Sequence, residues 1–514
     1  MSLDTWVIAF PYLGVLAVLA LLGAHRLHLM WILRRAPEPP PRPPEPHAWP
    51  WVTVQLPIYN EATCVERLLG AVAAFDYPLD RLEVQVLDDS TDETTDLLRQ
   101  RVAELRAAGL EISLLHRDHR AGFKAGALAE GLERARGELI AIFDADFVPG
   151  PDFLRRCVPH FADPRIGLVQ ARWGHLNRDQ SLLTRLQAMA LDAHFRVEHH
   201  ARSRSRRFFN FNGTAGVFRR AAIEDAGGWS ADTITEDLDL SLRAQLCGWT
   251  FRYLDDVVVP AELPGTVAAL RVQQQRWTRG GAQTARKLLP HVWRVPHVPL
   301  RARVEATVQL VLGVAFPCMF VLCLLSVPLV WVGYPHPAWS VAQWALVGLA
   351  SGAVALFYLA AYPGPRVRGL LEVLALFACG LGLSLNNGWA FLAGLCSRRA
   401  AFVRTPKRGV RRRARYVARR VPWVEAGELA LAIYLGVGLA HAGWSAAGVP
   451  LLGLAWAGFF GLVLASVQGW WRAPPANASD ASNEPLAPIA TPLALAEPHS
   501  QRLRGSGAEP SLNR

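Results

Sequence analysis

The chain has 514 residues, 51% of them hydrophobic and 19% charged, with a formal net charge of +11 and a mean hydropathy of +0.17. It is too apolar for an ordinary soluble enzyme and too charged for a bare membrane bundle, so a soluble domain joined to membrane-spanning segments is expected. The positive excess is local: eleven Lys and Arg and no acid lie between Ser397 and Val424, among apolar segments, which points to anionic lipid headgroups and away from nucleic acid.

Trp6 to Leu22 carries no charge and runs on towards Leu33. At about 1.5 Å per residue the uncharged part alone reaches roughly 25 Å, enough for a span, and residues 1–36 are assigned to an N-terminal membrane helix. Arg26, Arg34 and Arg35 follow the run, which puts the N-terminus outside and the next segment in the cytoplasm. A cleaved leader is not expected, because Asp4 and no basic residue precede the run. The Pro-rich stretch 37–50 reads as a polyproline-like spacer holding the next domain off the membrane.

From Trp51 the pattern turns to strand, polar tip, helix. Trp51 to Leu56 is a strand entering Pro57-Ile58-Tyr59-Asn60-Glu61, and Val65, Leu68, Leu69 and Val72 give the next helix one apolar face. Leu82 to Leu87 ends on Asp88-Asp89-Ser90-Thr91-Asp92, with Ser90 or Asp92 as helix cap, and Ile112 to His116 precedes a helix opened by Arg120-Ala121-Gly122-Phe123-Lys124. Leu139 to Phe143 is a buried strand that ends on Asp144 and Asp146. Such repetition implies an α/β domain over residues 51–278, with a mostly parallel, nucleotide-binding sheet whose polar tips share one edge. Its second half holds a strand at Gly167 to Ala171, a helix at Ser181 to His199, a Gly-punctuated turn at Asn210 to Gly216, the Thr235-Glu236-Asp237 helix start, and Gln273-Gln274-Gln275-Arg276-Trp277.

An α-helical membrane bundle follows. Residues 279–303 form a basic amphipathic, interfacial segment; 304–362 hold two spans, Val304 to Val332 and Ala338 to Ala361; and 427–471 form a final hairpin, Leu429 to Trp444 with Val449 to Trp471. The block Leu370 to Leu395 carries Ser384, Asn386 and Asn387 at its centre, and a crossing there would put the basic segment outside. Residues 363–426 are therefore taken as a kinked or interfacial segment plus a basic loop, giving five spans, a cytoplasmic catalytic domain and an inner or plasma membrane location. Residues 472–514, rich in Ala, Pro and Ser, are expected to be disordered. Seven cysteines with no CxxC pairing argue against zinc and against a disulfide framework.

The tips together suit one chemistry. Asp88 and Asp89 suit a nucleoside, and Asp144 and Asp146 suit Mg2+ or Mn2+ carrying a diphosphate. Asp237, beside Glu236, suits a general base for an acceptor hydroxyl; Arg276 offsets charge on the leaving diphosphate; Trp277 offers a face to a sugar ring.

The order DDS, DAD, TED and QQQRW resembles that of the processive family-2 glycosyltransferases, whose QxxRW pattern Gln273, Arg276 and Trp277 meet. Phrases such as QLPIYNE, VLDDSTD, RAGFKAGAL, FDADFVPGPDFL and TITEDLDLSLRAQLCGW resemble the cellulose-synthase-like branch that includes plant mannan synthases and xyloglucan-backbone glucan synthases. The resemblance implies a GT-A fold; donor contacts from Asp88, Asp89, Lys124, Asp144 and Arg276; metal at Asp144 and Asp146; catalysis by Asp237 with Glu236; and an acceptor site at Asn212, Gly213, Thr214, Gln273 and Trp277. It also implies an inverting enzyme that draws on GDP-mannose or UDP-glucose to elongate a β-linked polysaccharide, β-1,4 mannan or glucan, and passes it through the membrane, with accessory export proteins left open. The alternative is a non-processive transferase adding one sugar to a lipid acceptor. Phe402 to Lys407 resembles the gating loop of cellulose synthases. Arg411 and Arg415 match an RxxxR, yet no further cyclic-di-GMP signature follows.

Overall fold

The computed structural model describes residues 3–38, 41–332, 336–397, 422–442 and 449–471; the basic loop, Phe402 to Lys407 with it, and residues 472–514 lie outside the described residues. Seven strands, β1 (Val52–Ile58), β2 (Leu82–Asp88), β3 (Ile112–His116), β4 (Leu139–Ile142), β5 (Ile166–His175), β6 (Gly216–Arg219) and β7 (Thr250–Ala261), make one sheet in the order β3-β2-β1-β4-β6-β5-β7. The first half is parallel: β1 pairs β2 and β4, and β2 pairs β3. The second half inserts β6 antiparallel between β4 and β5, and β7 then pairs parallel with β5.

Period-2 alternation explains how the sheet is covered on both faces. Leu139, Ala141 and Phe143 pack into one core with Val54, Leu68, Val86 and Leu98, while Ile140 and Ile142 pack into the other with Leu128, Phe218 and Leu240. Crossovers after β1, β2 and β3 therefore bring their C-terminal tips to one edge, beside the end of β4.

Among the described residues five helices are long and apolar enough to cross a membrane: Trp6–Arg35, Leu300–Val332, Ala338–Ala361, Pro422–His441 and Pro450–Val467. A sixth element, Arg366–Gly382 followed by Ser384–Cys396, is bent by 52°, with Ser384, Asn386 and Asn387 buried against protein at and just past the bend. That burial supplies the protein contacts such side chains need at membrane depth.

Two features differ from the sequence-based expectation. The Pro-rich stretch is strapped to the domain instead of holding it away: Arg204 donates to the carbonyls of Ala36 and Pro37, Tyr77 Oη to that of Pro50 at 2.6 Å, and Trp49 packs on Tyr77. Helix Val267–Arg294 runs without a break across the 278–279 boundary, so the QQQRW residues and the following basic stretch are one rigid rod. Of the two expected caps Asp92 serves, its Oδ1 accepting from Thr94 N at 3.0 Å, while the Ser90 hydroxyl accepts from the Asn60 backbone and ties the β1 tip to the β2 tip. All seven cysteines are unpaired.

Candidate active site

The β4 tip is built from backbone outwards. Asp144 N donates to Thr214 Oγ1 at 2.9 Å, and the Asp144 carboxylate pairs with the Lys124 ammonium. Lys124 Nζ also donates to Gly213 O at 2.8 Å, so the β4 tip, the helix start at Lys124 and the 210–216 turn share one cation. Gly213 sits at φ 82°, and a Cβ there would come within 3.0 Å of Asp237 Oδ2. Gly213→Ala combines left-handed strain with that contact, about 1–2 kcal/mol from the backbone alone. Activity is expected to drop by roughly tenfold or more with folding retained; unchanged turnover would show that the turn has room to shift.

Glu236 and Asp237 open the helix Glu236–Leu246. Burial pushes the Glu236 carboxyl up, and burial together with the Glu236 charge pushes Asp237 up to about 7, against the pull of Lys124 and Arg276. Burial works against the Lys124 charge, but Asp144, Glu236 and Asp237 outweigh it and hold its pKa raised. The site thus keeps a cation among carboxylates and one carboxyl poised to exchange a proton near neutrality.

Helix Val267–Arg294 forms the opposite wall. It comes so near the TED segment that a Cβ on Gly280 would fall 2.3 Å from Thr235 Cγ2; Gln283 Oε1 accepts from Ile234 N, and Gln283 Nε2 donates to Ser397 O. Deeper in, Arg271 pairs with Glu428 and donates to Ser466 Oγ at 3.0 Å, while Asn386 reaches Arg271 O, so the rod is pinned to three apolar elements.

One cavity gathers Asp89, Lys124, Asp144, Asp146, Asn212, Gly213, Glu236, Asp237, Gln273, Arg276 and Trp277. Two of the sequence candidates stand outside it. Asp88 is fully buried, with its carboxylate taken by Ser90 N, Thr95 Oγ1 and His116 Nδ1, so it braces the β2 tip and does not line the cavity. Thr214 is equally buried, its hydroxyl spent on Asp144 N.

Tyr59 and Arg120, not among the sequence candidates, also line the cavity, and Arg117, His194 and His199 stand behind its lining. Asp89 is held bidentate by Arg117 at 2.7 and 2.6 Å, and Arg117 also braces the carbonyls of Ala121 and Phe123, presenting Arg120, whose guanidinium stacks 3.4 Å over the Tyr59 ring. Asn212 is gripped by His194 at 3.2 Å and His199 at 2.7 Å, from the π-helical turn His194–His199. Burial pushes both imidazoles down, so they act as neutral hydrogen-bonding groups. An HFRVEHH run inside an apolar helix was the available signal, since π-turns gather at functional sites.

Asp144 and Asp146 both face the cavity, and the Lys124 ammonium already stands as a cation on Asp144. Among the described residues no group of three or more His, Cys, Asp or Glu is arranged to hold a metal. Two carboxylates fit an ion whose remaining ligands are phosphate oxygens and water.

Residues 139–361 match the glycosyl transferase family group 2. Glucomannan 4-β-mannosyltransferase 2 of Arabidopsis thaliana is 48% identical over 251 residues, 48% of this chain and 47% of that protein. Glucomannan 4-β-mannosyltransferase 1 of Oryza sativa subsp. japonica is 43% identical over 297 residues, covering 55% and 57%. The chain thus matches about half the length of these curated relatives. Among solved structures, the mannosyltransferase PcManGT from Pyrobaculum calidifontis, in complex with GDP-Man and Mn2+, superposes with a TM-score of 0.52 at 25% identity, covering 73% of this chain and 99% of that one. Ordered motifs, a GT-A-like mixed sheet and these matches make residues 139–361 similar to the glycosyl transferase family group 2, in a chain whose matched half is similar to the glucomannan 4-β-mannosyltransferases.

Proposed function

We propose that the chain is an inverting, membrane-embedded mannosyltransferase that elongates a β-1,4-linked polysaccharide from GDP-mannose, with its catalytic domain on the cytoplasmic side. The observation that carries this reading is the meeting of Asp237, the Lys124–Asp144 pair and Trp277 around one cavity, in a chain 43–48% identical to glucomannan 4-β-mannosyltransferases over its matched half. Tyr59 under Arg120, with Asp89 alongside, forms the nucleoside end. Asp144 and Asp146 would hold the divalent ion, which when bound neutralises the donor diphosphate. Asp237 takes the proton of the acceptor hydroxyl as its oxygen bonds to the anomeric carbon from the face opposite the departing diphosphate; the C1–O bond breaks and GDP leaves with the pair. Arg276 and Lys124 face the charge that develops on that oxygen. Trp277 stacks on the acceptor sugar, and the apolar helices to which Arg271 pins its rod are the exit route for the product.

The donor assignment is tested by binding to the full chain in nanodiscs with Mn2+: GDP-mannose is expected to bind at least about tenfold more tightly than UDP-glucose, a margin of about 1.4 kcal/mol. A preference for UDP-glucose would overturn the mannose assignment and leave the transferase chemistry standing.

Only ionised Asp237 can accept a proton, so kcat/KM, which reports the free enzyme, should rise as pH increases through about 7 and fall nearly tenfold per unit below it. A flat profile between pH 5.5 and 7.5 would remove Asp237 from the base role.

A further inference from the structure

At the end of the first apolar helix, away from the sugar cavity, five arginines converge on a pocket that no acid lines. Arg35 comes from that helix, Arg204 from the end of His200–Arg204, Arg206 and Arg207 from the turn after it, and Arg301 from the start of Leu300–Val311; with Trp31 they line a pocket of about 420 Å³. Among the described residues, Arg35, Arg206 and Arg301 have no carboxylate partner. Arg207 lies 3.8 Å from Glu305, a carboxylate it shares with Arg202 and His25. Burial pushes the Arg207 guanidinium down; Glu305 opposes this and Arg301 adds to it. Arg204 is fixed as a wall by the Ala36 and Pro37 carbonyls, and the backbone of Arg206 is held at φ 54°. Five cations with one shared carboxylate at their edge repel one another, and the fold tolerates them where a further anion completes the set.

The depth of the pocket names that anion's source. Trp6–Arg35 is apolar enough to cross a membrane, with Trp6, Phe10 and Leu21 largely exposed along it. Trp31, 54% exposed, stands at the arginine end, where an indole marks the headgroup layer. We infer that this arginine pocket is a binding site for the phosphate of an anionic phospholipid headgroup, seated with its acyl chains along the first helix. Guanidinium forks suit phosphate oxygens, and the indole covers the glycerol end. Glu305 and Arg202 run on through Glu198 and His194 to Asn212 at the sugar cavity, so a lipid seated here also steadies the acceptor wall.

The inference rests on the first helix lying in a membrane, which resistance of the chain to alkaline carbonate extraction tests separately. The experiment is native mass spectrometry of the full chain in neutral detergent, titrated with phosphatidylglycerol or phosphatidylcholine. One phosphatidylglycerol is expected to bind about tenfold more tightly than phosphatidylcholine, R206Q/R301Q to abolish that preference, and R206K/R301K to keep most of it. An unchanged preference in R206Q/R301Q would overturn the site. Displacement of the lipid by equimolar glycerol 3-phosphate would overturn the lipid and leave a soluble phosphate ligand in its place.

Discussion

Asp237→Asn is expected to lower kcat by roughly 10²–10⁴ while GDP-mannose affinity stays within about twofold of the parent. The amide keeps the shape of the carboxyl, and its oxygen can still accept from Leu238 N, the 2.8 Å bond that orients the side chain. What disappears is the capacity to take a proton from the acceptor hydroxyl. Removing this charge also relieves Glu236, whose carboxyl is buried beside it, so the variant should fold at least as well as the parent. Turnover within tenfold of the parent would assign the proton to another group. Loss of donor binding along with turnover would mean that Asp237 holds the nucleotide.

Asp146→Ala is expected to remove the stimulation of GDP-mannose binding by Mn2+, weakening the metal-loaded affinity by one to two orders of magnitude. Asp144 cannot compensate, because one of its oxygens is engaged by Lys124. Asp144→Ala should be worse still, since it also removes the nearest carboxylate of the buried Lys124 ammonium and leaves that cation to Gly213 O, Glu236 and Asp237. Calorimetric titration with and without Mn2+ separates the two: Asp146→Ala loses the metal increment, and Asp144→Ala loses metal-free affinity as well. If Asp146→Ala keeps its metal stimulation, the ion is held elsewhere.

Much of this site was legible because strand tips are local in sequence and the parallel sheet aligns them. LIAIFDAD reads at once as a buried strand with carboxylates at its end, and in the fold Asp144 and Asp146 both reach the cavity. The DD motif was harder, since two adjacent residues at a strand end point in opposite directions. Asp89 turns to the cavity and Asp88 into the protein, a choice set by the Thr95 and His116 partners that only the fold supplies. Motif likeness points to Thr214, yet its hydroxyl accepts from Asp144 N, seventy positions away in sequence. The antiparallel insertion of β6 rests on pairing between Gly216–Arg219 and two strands distant in sequence, which no periodicity encodes. Similarly, Arg271 reads as one more charge in an amphipathic helix until Glu428, 157 positions away, is seen against it. Polar residues at the centre of an apolar block did announce a bend, because Ser384 and the two asparagines demand protein contacts.

The most direct test of the account is the product. Membrane vesicles carrying the full chain are supplied with radiolabelled GDP-mannose and Mn2+, and the label is sized before and after endo-β-1,4-mannanase. The account predicts a long, water-insoluble polymer that the mannanase reduces to short oligosaccharides, absent from Asp237→Asn vesicles. A solvent-extractable lipid bearing a single mannose, or a polymer formed only from UDP-glucose, would contradict it.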